Sequence, residues 1–167
     1  MLLDFSTGRF DGARPQTRRT VGDLASIFAD SRGVDPETLV YETFGSAPEI
    51  EGPPSLLYAT TVIQPGDVNG EFFMTRGHFH TKPERGEFMT TLQGEGALLL
   101  MDRERNTWTE PMSAGSVHHI DGRYAHRVAN TGDVPLVFLV VWMSDCGHDY
   151  EAIRQHGFGK RLRRDPA

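Results

Sequence analysis

Between residues 56 and 143 the chain reads as a series of short runs, apolar and β-branched or alternating apolar and polar, each closed by residues that turn a backbone. The runs are 56–63, 70–80, 86–92, 96–102, 107–112, 116–120, 125–130 and 135–143. Between them lie Gln64-Pro65-Gly66-Asp67, Gly94-Glu95-Gly96, Arg103-Glu104-Arg105-Asn106, Ala114-Gly115 and Asn130-Thr131-Gly132-Asp133. Such spacing predicts an all-β, antiparallel domain, with about eight strands closing into a double-sheet jelly roll or small barrel. Leu56, Val62, Leu92, Leu98, Leu100, Val117, Val137 and Leu139 are its expected core. Ahead of the barrel, Val21, Leu24, Ile27 and Phe28 follow helical spacing and Thr20 and Asp23 offer a cap, so 20–30 is predicted as a short helix. Strand 39–44 and a proline-rich loop over 45–55 follow, and 150–155 is predicted as one or two helical turns closing over a barrel end.

Within this pattern one stretch stands apart. His78 and His80 alternate with Phe79, so on an extended segment both imidazoles share a face while Phe79 points into apolar packing. Pro83 and Gly86 allow the chain to fold back and bring Glu87 beside them. Three metal-ligating groups are thereby local, and the segment 124–130 offers His126 as a fourth.

Composition narrows the partners. The 167 residues carry a net charge of −6, which argues against nucleic acid, whose phosphates need a basic surface. A small anion remains compatible, because Arg76, Lys82 and Arg127 are cations close to the histidines in sequence. The cluster Lys160, Arg161, Arg163 and Arg164 reads as a solvated end. Cys146 is the single cysteine, so no intrachain disulfide forms, and it reads as a bystander. Asp4 interrupts the start of the chain and no apolar run is long enough to span a membrane, giving an expectation of a cytoplasmic protein without a membrane partner.

His78-x-His80, six residues, Glu87, six residues, Gly94, then Gly115 and His126 with Asn130 four positions on, resembles the two-part motif of the cupin superfamily. Asp121 and Arg123 stand where that motif commonly has proline and glycine. More locally, Thr60-Thr61-Val62-Ile63-Gln64-Pro65-Gly66, Met74-Thr75-Arg76-Gly77-His78-Phe79-His80, Ala125 to Asp133, and Gly147-His148-Asp149-Tyr150 resemble the cupin-type glucose-6-phosphate isomerases of archaea and some bacteria. That resemblance, covering about 20–159, implies a cupin double-stranded β-helix with short N- and C-terminal helices. It implies a single domain over 1–167 whose extension 1–55 packs on the barrel. It also implies a homodimer with one divalent metal ion per subunit, iron(II) foremost and manganese(II), nickel(II) or zinc(II) as alternatives. The reaction implied is interconversion of glucose 6-phosphate and fructose 6-phosphate.

Carried over by position, the resemblance makes His78, His80, Glu87 and His126 metal ligands. Thr61, Thr75, Gly77, His148 and Tyr150 match positions that line the substrate site, and the proton transfers of an aldose–ketose isomerisation make Glu87 and His148 the catalytic candidates. Where that family often has tyrosines this chain has Met89, Arg123 and Trp142, and Arg123 is expected to add a cation for the sugar phosphate. Simple alternation turns Thr75 and Gly77 away from the face of His78, so a kink at Gly77 is required for all of them to meet one site. Fold and ligand set do not fix chemistry, and three other readings stay open: a different sugar-phosphate isomerase, an iron-dependent dioxygenase, and a non-catalytic sugar-binding module.

Overall fold

The structure, a computed structural model, describes residues 1–45 and 53–164; most of the predicted loop at 45–55 lies outside them. The strands are β1 (Leu3–Asp4), β2 (Arg9–Phe10), β3 (Thr17–Thr20), β4 (Leu39–Gly45), β5 (Leu56–Ile63), β6 (Asp67–Val68), β7 (Glu71–Phe72) and β8 (Phe79–His80). They continue with β9 (Glu87–Gln93), β10 (Glu95–Met101), β11 (Thr107–Ser113), β12 (Val117–Ile120), β13 (Ala125–Asn130), β14 (Leu136–Met143) and β15 (His148–Asp149), before helix α1 (Glu151–His156). One antiparallel sheet has the order β12-β9-β14-β5-β4-β3 and a second the order β11-β10-β13. Met89, Ile63 and Phe138 of the first share an apolar cluster with Leu98, Leu100 and Val128 of the second. The two sheets are therefore the walls of one barrel, and the all-β expectation holds.

Several local expectations change. No α-helix forms over 20–30; the segment makes a single 3-10 turn at Ala25–Ile27. The reciprocal cap is present, with Thr20 N donating to Asp23 Oδ2 (3.0 Å) and Asp23 N to Thr20 Oγ1 (3.4 Å). Buried Val21, Leu24 and Ile27 recur every third residue, which suits the tighter helix. Ala29 N is then captured by Glu71 Oε2 at 2.8 Å, drawing the chain away from further turns. The run 70–80 is not one strand either. Asn69 and Gly70 both take positive φ (50° and 86°) and form the two-residue turn of the β6–β7 hairpin, a dipeptide whose chemistry asks for that turn.

Two expected core residues are outside. Val117 is 62% exposed because edge strand β12 buries the alternate positions, His118 and Ile120. Leu56 is 67% exposed at the end of β5, where it faces Met143 across the strand pair. Val62 and Val137 are buried in a second cluster with Phe10 and Phe44, and Leu92 and Leu139 pack half-buried against it. Phe10 comes from the β1–β2 hairpin, which the sequence reading did not anticipate. Gly8 (φ 67°) brings the hairpin's backbone onto the side chains of Val62 and Val137, and its carbonyl accepts a hydrogen bond from Thr60 Oγ1.

The basic tail is no free end. Arg161 pairs with Glu71 at 2.6 Å, and Arg164 reaches Asp133 at 3.3 Å and Asp67 at 3.5 Å. Ile153 and Phe158 seat this C-terminal segment on the main apolar cluster.

Candidate metal centre

Three pieces of backbone bring the ligating groups together. His78 and His126 face each other across an antiparallel bridge, with His78 N donating to His126 O (3.3 Å) and His126 N to His78 O (3.1 Å). His80 ends β8 two residues later, on the same face by alternation, and Glu87 opens β9. One ligand atom from each of His78, His80, Glu87 and His126 lies within 4.8 Å of the others. Glu87 Oε2 is 3.6 Å from His80 Nε2, and Glu87 Oε1 is 3.7 Å from His126 Nε2.

The donor set fits a metal ion on a further ground. His78 Nε2, His80 Nε2 and both ring nitrogens of His126 are buried without a hydrogen-bond partner. Buried polar groups are ordinarily paired, so such a concentration of lone pairs is costly unless something accepts them. His80 Nδ1 lies 2.6 Å from the carbonyl of Arg85, to which it donates, leaving Nε2 unprotonated and turned to the cluster in the neutral ring. Burial, then the positive charge of His126, His148 and His80, lowers His78 well below the ordinary histidine range. Burial likewise lowers His126. Burial also acts to lower His80, but the nearby Glu87 carboxylate and the bond to the Arg85 carbonyl outweigh it and raise it. Neutral imidazoles facing a carboxylate are the state in which such a group binds a divalent cation.

The 81–86 loop carrying the Arg85 carbonyl is clamped from outside. Asp145 accepts from Arg85 Nε (3.0 Å), Arg85 Nη2 (2.9 Å) and Lys82 Nζ (2.7 Å), and these contacts hold its carboxyl well below the usual range. Lys82, read from sequence as a cation available to an anion, is committed to that clamp.

A cavity of about 290 Å³ opens beside the four ligating residues, with His78, Glu87 and His126 in its wall. Thr61, Thr75, Gly77, His148 and Tyr150 all line it, as do Met89 and Trp142. The required kink is present. Met74 bridges Ala129 and His78 bridges His126, so three residues on one side span two on the other, and Gly77 takes φ 77°. This β-bulge turns Thr75 and Gly77 toward the face that His78 occupies. Thr75 Oγ1 accepts from Val128 N (3.1 Å), a role that leaves its own proton available to donate. His148 sits at the mouth, its ring 4.3 Å from that of His78, and partial burial lowers its pKa. Tyr150 lies 5.3 Å from the His78 ring, with Arg76 over its face at 6.0 Å. Cys146 is buried 3.8 Å from His148 Nε2, and burial pushes its thiol up to about 11, so it is inert at neutral pH.

Arg123 is the exception among the expected site residues. It is exposed, and its guanidinium is bidentate to Asp121 at 2.6–3.1 Å. It lines a separate surface cleft of about 440 Å³ with Pro83, Glu84, Gly86 and His119, which holds none of the four ligating residues. Arg123 N also donates to Asp121 Oδ1 (2.9 Å) and Tyr124 N to Asp121 O (3.0 Å), so aspartate makes the turn here in place of proline and glycine. In the opposite sense, Gln16, Thr17, Tyr41 and Thr43 line the cavity from β3, its flank and β4. Nothing in the sequence reading connected those strands to the histidines, because their pairing through β5 is non-local.

The family described as Glucose-6-phosphate isomerase (GPI) matches this chain over residues 19–164. The glucose-6-phosphate isomerase of Thermococcus onnurineus (strain NA1) is 39% identical over 162 residues, 95% of this chain and 85% of that protein. That of Pyrococcus furiosus is 40% identical over 163 residues, with the same coverage of each. A putative glucose-6-phosphate isomerase 2 of Rhizobium meliloti (strain 1021) is 32% identical over 164 residues, covering 93% and 80%. Among solved structures, one of oxalate decarboxylase superposes with a TM-score of 0.51 at 22% identity over 65% of this chain and 27% of its own, a likeness of cupin fold alone. Barrel, ligand cluster and relatives agree, and this chain belongs to the cupin-type glucose-6-phosphate isomerase family.

Proposed function

We propose that the protein interconverts glucose 6-phosphate and fructose 6-phosphate, with a divalent metal ion held by His78, His80, Glu87 and His126. The observation that carries this reading is the convergence of four ligating groups, three buried and His78 half-buried, beside a cavity walled by hydroxyls and arginine. Iron(II) is the metal we expect, and we expect a cytoplasmic homodimer. When bound, a divalent ion would supply Lewis-acid polarisation to the sugar oxygens.

The chain's own groups have separate tasks. Thr61, Thr75, the backbone at Gly77 and Tyr150 bind the phosphate, since its oxygens accept many hydrogen bonds and small residues let it approach the backbone. Met89 and Trp142 fill the cavity wall with apolar surface and keep water from the reacting carbons. His148, at the mouth with its pKa lowered, exchanges a proton with the ring oxygen during ring opening. Glu87 is the candidate to carry the proton between C2 and C1 of the open-chain sugar. A direct hydride shift would relieve it of that task, and incorporation of solvent deuterium at the migrating position separates the two routes. Fructose 6-phosphate supplied to metal-loaded protein, with glucose 6-phosphate measured by a coupled dehydrogenase, tests the reading. No turnover of any sugar phosphate would overturn it, and oxygen uptake would point to a dioxygenase instead.

A further inference from the structure

The bulge that brings Thr75 and Gly77 to the cavity has a backing residue. Arg127 lies opposite it, between His126 and Val128, and is 4% exposed. Its Nη2 donates to the carbonyl of Arg76, the residue inside the bulge, and Nη1 reaches Met74 Sδ at 3.2 Å. The Phe158 ring stacks on its guanidinium at 4.3 Å. The contact is close enough that a Cβ on Gly77 would sit 2.9 Å from Arg127 Cβ and 2.8 Å from Phe158 Cε2. Arginine and phenylalanine thus press the glycine's backbone into place, and Arg127 also lines the cavity beside it.

Charge makes the residue unusual. Arg127 Nε is buried with no hydrogen-bond partner, and among the described residues no carboxylate lies within 4.0 Å of the guanidinium. The nearby acid Glu71 is taken by Arg161 at 2.6 Å. A guanidinium buried without an anion is costly. An anion seated at Thr75 and Gly77 would answer that charge across the strand.

We infer that Arg127 is a positioning residue for the phosphate of the sugar, holding the Arg76–Gly77 bulge in the shape that presents Thr75 and Gly77 and lending the seat a buried positive charge that has no direct ion-pair partner. This rests on the isomerase reading for the identity of the sugar, but not for the presence of an anion seat. The test uses the metal-loaded full chain and its Arg127→Gln and Arg127→Lys variants. Inorganic phosphate binding is measured by calorimetry, fructose 6-phosphate kinetics by the coupled assay, and metal content by elemental analysis. Arg127→Gln is expected to weaken inorganic phosphate binding and raise KM about tenfold or more, with a smaller change in kcat and parental metal content. Arg127→Lys keeps the charge but cannot fork between Arg76 O and Met74 Sδ, and is expected to fall between, at about threefold. Parental phosphate affinity in Arg127→Gln, or a loss confined to kcat and metal content, would overturn the inference. Should that variant not fold, parental affinity in Arg127→Lys would overturn it equally. A parent that binds phosphate but turns over no sugar phosphate would defeat the isomerase reading and leave the anion seat standing.

Discussion

Histidines occur inside this barrel in two settings, a lone one on β12 and a cluster at the cavity, and the two are built on opposite principles. On edge strand β12, His118 has both ring nitrogens satisfied: Nδ1 lies 2.7 Å from Glu110 Oε2 and Nε2 lies 3.0 Å from Ser116 Oγ, which in turn donates to Thr91 Oγ1. At the cavity, four nitrogens of His78, His80 and His126 have no such partner. Burial is similar in the two places, 6% exposed for His118 and 4% for His126. What separates His118 from the cavity histidines is therefore the unmet hydrogen-bonding capacity of the latter.

The sharpest way to break that contrast is to remove a ligand. His126→Ala is expected to lower metal content and to cut turnover about a hundredfold or more while the barrel stays folded, since the surrounding apolar cluster does not depend on the ion. Elemental analysis and circular dichroism decide it, and full metal occupancy in the variant would refute the ligand assignment. Next in size is Thr75→Val, which removes a donor at nearly constant volume. It should weaken sugar-phosphate binding by roughly 1.5–3 kcal/mol with metal content intact, as expected for a bond to a charged group. Thr75→Ser, which keeps the acceptor for Val128 N, should recover most of the loss. Unaltered affinity in Thr75→Val would place the phosphate elsewhere.

Asp145→Asn probes the clamp one step behind His80. Releasing Arg85 lets its carbonyl drift from His80 Nδ1, and metal affinity is expected to fall about tenfold, measured by chelator competition. Affinity equal to the parent would show that the loop is held well enough without it. The smallest effect is expected on the other side of the comparison. His118→Leu should cost about 1–2 kcal/mol of stability in denaturant unfolding and change neither metal content nor turnover. A loss of metal there would erase the distinction between the two settings.

Much of this was legible in the chain because it depends on local period. The strands at 125–130 and 56–63 sit where alternation and turn residues put them, and His78, His80 and Glu87 meet because alternation and one bend suffice. The misreadings come from side-chain partners that the period of the chain does not show, some distant and some local. Segment 20–30 has helical spacing, yet the Glu71 carboxylate, 42 residues on, takes the amide of Ala29. Arg123 stands where the resemblance places a tyrosine, but Asp121, two residues away, claims its guanidinium. The β1–β2 hairpin has strands of two residues each, too short to show a period, and exists because Phe10 finds Phe44, Val62 and Val137 on the outer sheet face. Val117, expected in the core, is outside because hydrophobicity alone sets the phase of an edge strand poorly when a histidine, His118, finds two partners inside.

Glu71 has a consequence for the order in which the molecule is completed. Its carboxylate holds Ala29 from one end of the chain and Arg161 from the other. Its neighbour Phe72 donates to Leu162 O, and Arg164 N returns a bond to Gly70 O. During synthesis the 71–80 segment leaves the ribosome long before residues 161–164 do, so β7 waits for its C-terminal backbone partners while β8 pairs with residues 126 and 148. The contacts that tie Ala29 and β7 together at Glu71 are complete only when residues 161–164 arrive, so this part of the molecule closes late.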